Sequence, residues 1–116
     1  MVKLGEPTFI DVPGDQPTIN DVIPRSYSLA QNSPNPFNPS TTIVYDLSKA
    51  VHVHLVIYDL LGRHIKALVD EHKPAGRFRA TWNGRDERGL SVAGGLYFCR
   101  MQAREYEKVV KMVLVR

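Results

Sequence analysis

The sequence predicts an all-β fold, an antiparallel β-sandwich of about seven short strands. Three observations carry this expectation: apolar residues recur every second position in successive short segments, glycine-bearing turns separate those segments, and no stretch sustains a 3.6-residue period. With 116 residues the chain has room for one small core and a tail.

Residues 1–26 hold Pro7, Pro13, Pro17 and Pro24 with scattered acids and no sustained period. They read as a linker or N-terminal arm, with the folded domain expected over 27–116. A short segment near "YSLAQ" is a candidate first strand. "STTIVYDL" alternates, placing Thr41, Ile43, Tyr45 and Leu47 on one face. "VHVHLVIYD" sets Val51, Val53, Leu55 and Ile57 against His52, His54, Val56 and Tyr58. "RHIKALVD" is less regular, and the adjacent Leu68 and Val69 predict a bulge. "GRFRATWNG" turns Phe78, Ala80 and Trp82 inward, and "GLYFCRMQA" aligns Tyr97, Cys99 and Met101. "EKVVKMVLVR" closes the set, with Val110, Met112 and Leu114 on one face and Lys111, Val113 and Val115 on the other. The expected core is Ile43, Tyr45, Leu47, Val51, Val53, Leu55, Ile57, Ile65, Leu68, Phe78, Trp82, Tyr97 and Met112.

Between the arm and the first long strand lies "QNSPNPFNPS". Pro34, Pro36 and Pro39 fix φ, remove backbone donors and bias the residues before them towards extended conformations. Asparagine side chains can replace the missing ladder bonds, and Phe37 is the one large apolar residue able to anchor the segment on the sandwich. A stiff bridge of low unfolded-state entropy is expected.

The composition excludes several functions. The net charge is +3, but Lys3 and Arg25 face Glu6, Asp11, Asp15 and Asp21 in the arm, leaving thirteen positive and eight negative side chains scattered over the rest. Without a basic helix or lysine run, no nucleic-acid partner is expected. No apolar run approaches the roughly 20 residues of a membrane span. The opening "MVKLGEPTFIDVPGD" lacks the apolar centre of a signal peptide, so an exported form is expected to be part of a longer protein.

Candidate chemistry also resolves into structure. The single cysteine, Cys99, reads as a small buried hydrophobe. His52 and His54 share a strand face at a spacing that can hold a metal, yet His64 and His72 lie on other segments and no third ligand is evident, so no metal or cofactor is expected. Asp59, Asp86 and Glu87 fall in turns where acids cap backbone donors. Ser40 and Ser91 have no linked base, so no enzyme is expected. Trp82 could stack on a sugar, but its inward phase favours the core, where its indole N–H requires an acceptor.

Four blocks occur in order: "LAQNSPNPFNPSTTIVYDL", "VHLVIYDLLGRHIKALVD", "AGRFRATWNGRDERGLSVAGGLYFCRMQA" and "KMVLVR". Together, over about residues 27–116, they resemble the C-terminal sorting domain of type IX secretion cargo, which is similar to the immunoglobulin-like domain of the flagellar hook-capping protein. The marks of the resemblance are Asn35, Pro36, Phe37, Asn38 and Pro39, then Gly62 and Arg63, then Trp82 and Gly84. It implies an immunoglobulin-like sandwich and a non-catalytic delivery signal, found in Bacteroidetes at the C-terminus of a fused N-terminal cargo. The implied route runs from the periplasm, through an outer-membrane type IX translocon with its shuttle proteins, to the cell surface or medium. A surface sortase-like peptidase would remove the domain within the arm, roughly Asp11 to Ser28. On this reading Lys111, Met112, Val113, Leu114, Val115 and Arg116 are the expected translocon-recognition residues, read by addition to the strand edge. A last strand that simply completes the sandwich accounts for the same pattern. The alternatives are an immunoglobulin-like binding module, for carbohydrate, or a spacer with hook-cap-like assembly.

Overall fold

The computed structural model describes residues 23–116. Seven strands form: β1 (Ser28–Leu29), β2 (Thr41–Leu47), β3 (Val51–Asp59), β4 (His64–Lys73), β5 (Gly76–Trp82), β6 (Gly95–Ala103) and β7 (Tyr106–Leu114). They make two antiparallel sheets, one ordered β1-β2-β5 and the other β4-β3-β6-β7. The expected immunoglobulin-like sandwich of seven strands is thus the observed architecture. Most of the arm, and most of its expected cleavage region, lie outside the described residues. Among the described residues no helix is long and apolar enough to cross a membrane.

Alternation places the core between the sheets. Ile43, Tyr45 and Leu47 of β2 face Val51, Val53, Leu55 and Ile57 of β3, with Tyr97, Cys99, Met101 and Ala103 of β6 and Val110, Met112 and Leu114 of β7. Ile65, Leu68 and Phe78, expected in the core, are only half-buried and pack against its rim. The reason for the first two is local. Leu55 pairs with Val69 and Val56 with Ala67, so Leu68 is the extra residue of the expected bulge; a second irregularity falls at Ile65. Phe78 lies at the opening between the sheets, stacked on Tyr45 at 5.5 Å with Lys73 Nζ 4.9 Å above its ring.

The three-stranded sheet is clasped by one carboxylate. Asp46 of β2 accepts Arg77 Nε and Nη2 of β5 at 2.8 and 3.1 Å, and Ser28 Oγ of β1 at 3.1 Å. The Arg77 hydrogen bond comes first among the causes that hold its pKa below the usual carboxylate range. A depressed folded-state pKa means the contribution is present above the unfolded value of about 3.9 and disappears as pH falls through the folded value. Asp46→Asn is therefore expected to cost about 1 kcal/mol at pH 7. The gap between the urea curves of variant and parent should close as the pH falls towards about 2; a gap independent of pH would refute the assignment.

Candidate functional site

The proline-rich segment and the end of β7 are each other's partners. Phe37 N–H donates to Val113 O at 2.9 Å, and Val115 N–H donates to Phe37 O at 2.8 Å, making a parallel bridge. Val113 N–H donates to Asn35 Oδ1 at 2.9 Å, and Gln31 Nε2 donates to Lys111 O at 2.7 Å. The outward backbone groups of β7 from Lys111 to Val115 are thus satisfied by a segment that cannot itself be a strand, because prolines interrupt its donors. A partner adding to this edge would have to displace those bonds. The expected strand-edge mode of recognition meets an occupied edge.

Aromatic packing fixes the segment from beneath. Phe37 is 2% exposed, with its ring 5.7 Å from Trp82, and Trp82 lies 5.2 Å edge-on from Tyr97. The Trp82 indole N–H finds the required acceptor in Arg85 O at 2.9 Å. Tyr97 O–H donates to Ala93 O at 2.6 Å. Trp82 is fully buried, so it cannot itself serve as a sugar-stacking platform. Beside this trio Asn32, also buried, donates to Thr41 Oγ1 at 3.0 Å and Pro34 O at 3.2 Å, holding the lead-in against the start of β2.

The last residues complete the arrangement. Met112 and Leu114 are core, whereas Lys111 and Val115 are exposed and Val113 is half-buried. Arg116 Nη2 donates to Gly84 O at 2.8 Å and Nε to Val92 O at 2.7 Å. Gly84 adopts φ +73°, and a Cβ there would stand 2.9 Å from Arg116 Nη2 and 3.2 Å from Pro39 O. Asn35 to Pro39, Trp82, Gly84 and Lys111 to Arg116 therefore form one continuous cluster, with Phe37, Trp82, Met112 and Leu114 in its buried part. The Gly62–Arg63 turn stands apart, across a cleft lined by Asp59, Leu61, Leu96 and Tyr97. There Asp59 Oδ1 accepts Leu61 N–H and Arg63 N–H at 2.9 and 2.8 Å, and Oδ2 pairs with Arg63 Nε at 2.7 Å.

The family model of the FlgD Ig-like domain matches residues 37–106. The chain belongs to the FlgD Ig-like domain family. No curated protein is a significant match. Among solved structures, this FlgD Ig-like domain is similar to part of PorZ of Porphyromonas gingivalis, described as an essential surface component of the type IX secretion system. That match has 21% identity and a TM-score of 0.52, and covers 78% of this chain and 11% of PorZ. It is also similar to part of dimeric latent PorU of the same organism, at 20% identity and TM-score 0.58, over 77% of this chain and 9% of PorU. FlgD of Xanthomonas campestris, a hook-capping protein essential for flagellar assembly, matches at 22% identity and TM-score 0.50, over 78% of this chain and 63% of that one. This domain therefore spans about a tenth of PorZ or PorU. At these identities the likeness concerns the fold.

The expected turn roles of the acids hold in this domain. Asp86 Oδ1 accepts Arg88 N–H and Leu90 N–H at 2.9 and 3.0 Å, and Glu87 Oε2 accepts Ala67 N–H at 2.8 Å on the edge of β4. Burial pushes the Cys99 thiol up to about 12, as suits a packed side chain. Sequence reasoning missed Asn32 and Gln31, which carry no signal distinguishing them from the other polar residues of the block. It also missed Asp70. That carboxylate reaches both His52 and His54, with Oδ1 at 2.7 Å from His52 Nε2 and 3.3 Å from His54 Nδ1.

Truncating the anchor should cost more than truncating the bond. Phe37→Ala is expected to lower stability by about 3–5 kcal/mol. Asn35→Ala should cost about 0.5–1.5 kcal/mol. Hydrogen exchange should then show the Val113 amide losing protection in Asn35→Ala while Met112, in the β6–β7 ladder, keeps its own; equal loss at both would contradict the bridge.

Proposed function

We propose that this domain is a non-catalytic sorting module that directs a larger cargo through the type IX outer-membrane translocon to the cell surface or medium. The observation that carries the reading is the convergence of the segment 35–39, the residues 82–84 and the segment 111–116, blocks far apart in sequence that resemble those of type IX sorting domains. Fold similarity to part of PorZ, a type IX component, supports it. The turn-bound acids and the packed Cys99 support a role without catalysis. Removal by a surface sortase-like peptidase within the arm belongs to the same proposal.

With the edge of β7 occupied from Lys111 to Val115, we assign recognition to the outer face of the four-stranded sheet. Leu96, Val109 and Val115 are 37%, 49% and 46% exposed there, flanked by half-buried Phe98 and Val113. With Phe98 and Val113 between them, these exposed apolar side chains and Lys111 make a mixed apolar and basic face on which a partner could dock. Deleting Lys111 to Arg116 would remove Met112 and Leu114 from the core, so it tests folding and recognition together. Charge on the outer face separates them.

A periplasm-targeted fluorescent reporter fused ahead of the chain should reach the surface in a strain with an intact type IX system and stay periplasmic in a translocon mutant. Leu96→Lys with Val109→Lys should reduce delivery by about tenfold with the thermal midpoint nearly unchanged, as surface substitutions rarely move stability by more than about 0.5 kcal/mol. Retention of the parent fusion in both strains, beside a working native cargo, would end the sorting proposal. Full delivery of the folded double variant would end the outer-face proposal alone. Membership in the FlgD Ig-like family favours a second reading, hook-cap-like self-assembly, which requires a sedimentation coefficient that rises with concentration.

A further inference from the structure

The outer face of the four-stranded sheet carries a second cluster, at the end far from Arg116. His52 and His54 project from β3 at positions i and i+2, and Asp70 stands directly opposite His54 in the β3–β4 register. The two imidazole centroids are 4.7 Å apart. One ligating atom from each of the three residues lies within 4.8 Å of the others. His72, directly opposite His52, borders the cluster on the same face.

From this geometry we propose that His52, His54 and Asp70 form a binding site for a divalent transition-metal ion of the zinc or copper(II) type. Bond lengths of about 2.0–2.2 Å to imidazole nitrogen and carboxylate oxygen require neighbouring ligand atoms roughly 3.3 Å apart in a tetrahedral site. The His54 Nδ1 to Asp70 Oδ1 separation is 3.3 Å, and the His52 Nε2 to Asp70 Oδ1 separation, 2.7 Å, is the hydrogen bond an ion would replace. Both nitrogens approach the same carboxylate oxygen, so small side-chain rotations suffice to enclose an ion. Two nitrogens and one oxygen suit zinc or copper(II) and not calcium or magnesium, which prefer all-oxygen sites.

Burial and backbone favour the same assignment. The three side chains are 50%, 49% and 59% exposed, so an ion reaches them without opening the core. Their Cα positions are fixed by an antiparallel ladder, which limits the ordering cost of assembling the site. Three protein ligands leave one coordination position for water or for a donor on another molecule. The ion would tie the edge strand β4 to β3 beyond their backbone pairing.

The test is titration of the untagged full chain with Zn²⁺ alone, followed by calorimetry at pH 7.5. One equivalent should bind with a Kd of roughly 1–100 μM, and His54→Ala or Asp70→Ala should each weaken binding by about tenfold or more. His64→Ala, at the other end of β4 in the pair with Glu87, should leave it unchanged. With Cu²⁺ as probe, the electron paramagnetic spectrum should report two equatorial nitrogens in the parent and one in His52→Ala. These substitutions alter exposed positions, and far-UV circular dichroism checks that each variant folds. Absence of saturable Zn²⁺ binding up to about 1 mM, or parental affinity in both His54→Ala and Asp70→Ala, would overturn the site. So would an unchanged copper spectrum in His52→Ala.

Discussion

The contact between Phe37 and the end of β7 is the constraint on which the rest of this domain depends. A four-stranded sheet ending at β7 would leave a row of unpaired carbonyls and amides at its rim, an invitation to pair with any other strand. Here the rim is closed by backbone from Phe37 and side chains from Gln31 and Asn35. The prolines that make this segment unfit for a sheet interior make it fit for this place. It offers the edge a few well-placed partners and presents no fresh ladder of its own. Asn35 supplies through its side chain an acceptor at the register the terminal strand needs.

That closure is held by packing between the two sheets. Trp82 ends β5 in one sheet and Tyr97 begins the buried face of β6 in the other, and Phe37 lies on Trp82. The turn after β5 then serves both sides: Arg85 O receives the indole, Gly84 O receives Arg116, and Glu87 reaches over to the β4 edge. One loop thus caps the aromatic core, secures the end of β7 and shields the opposite edge of the same sheet. Gly84 is needed because Arg116 and Pro39 approach where a side chain would begin.

Much of this was legible in the sequence. Period-2 alternation located the long strands β2, β3, β5, β6 and β7 and set the inward phase of Trp82, Tyr97, Cys99 and Met112, because burying one face of a sheet leaves register little freedom. The bulge at Leu68 could be read from two adjacent apolar residues that a strict alternation cannot place on one face. The depth of burial was less legible. Phe78 is apolar and in phase yet sits at the rim, and Ile65 and Leu68 fall at the two irregularities of an edge strand; sequence carries phase without carrying distance from the centre. The partner of the proline block was not legible at all, since nothing local says that residues near 37 meet residues near 114. Nor was the meeting of His52 and His54 with Asp70, which needs the β3–β4 register and its two irregularities. Sequence patterns report which way a side chain points; the pairing of distant segments reports what it meets.

The bridge between residues 35–39 and 111–116 has a consequence for the timing of folding. Contacts between segments so far apart in the chain form late, because each must wait for its partner and close a long loop. A polypeptide cut short before Lys111 holds the proline block without the strand it covers and lacks Met112 and Leu114 from its core. The convergent surface at this pole therefore exists only in a molecule synthesised through to this strand. Whether that arrangement is present is therefore a report on whether this strand has been made and the domain has closed around it.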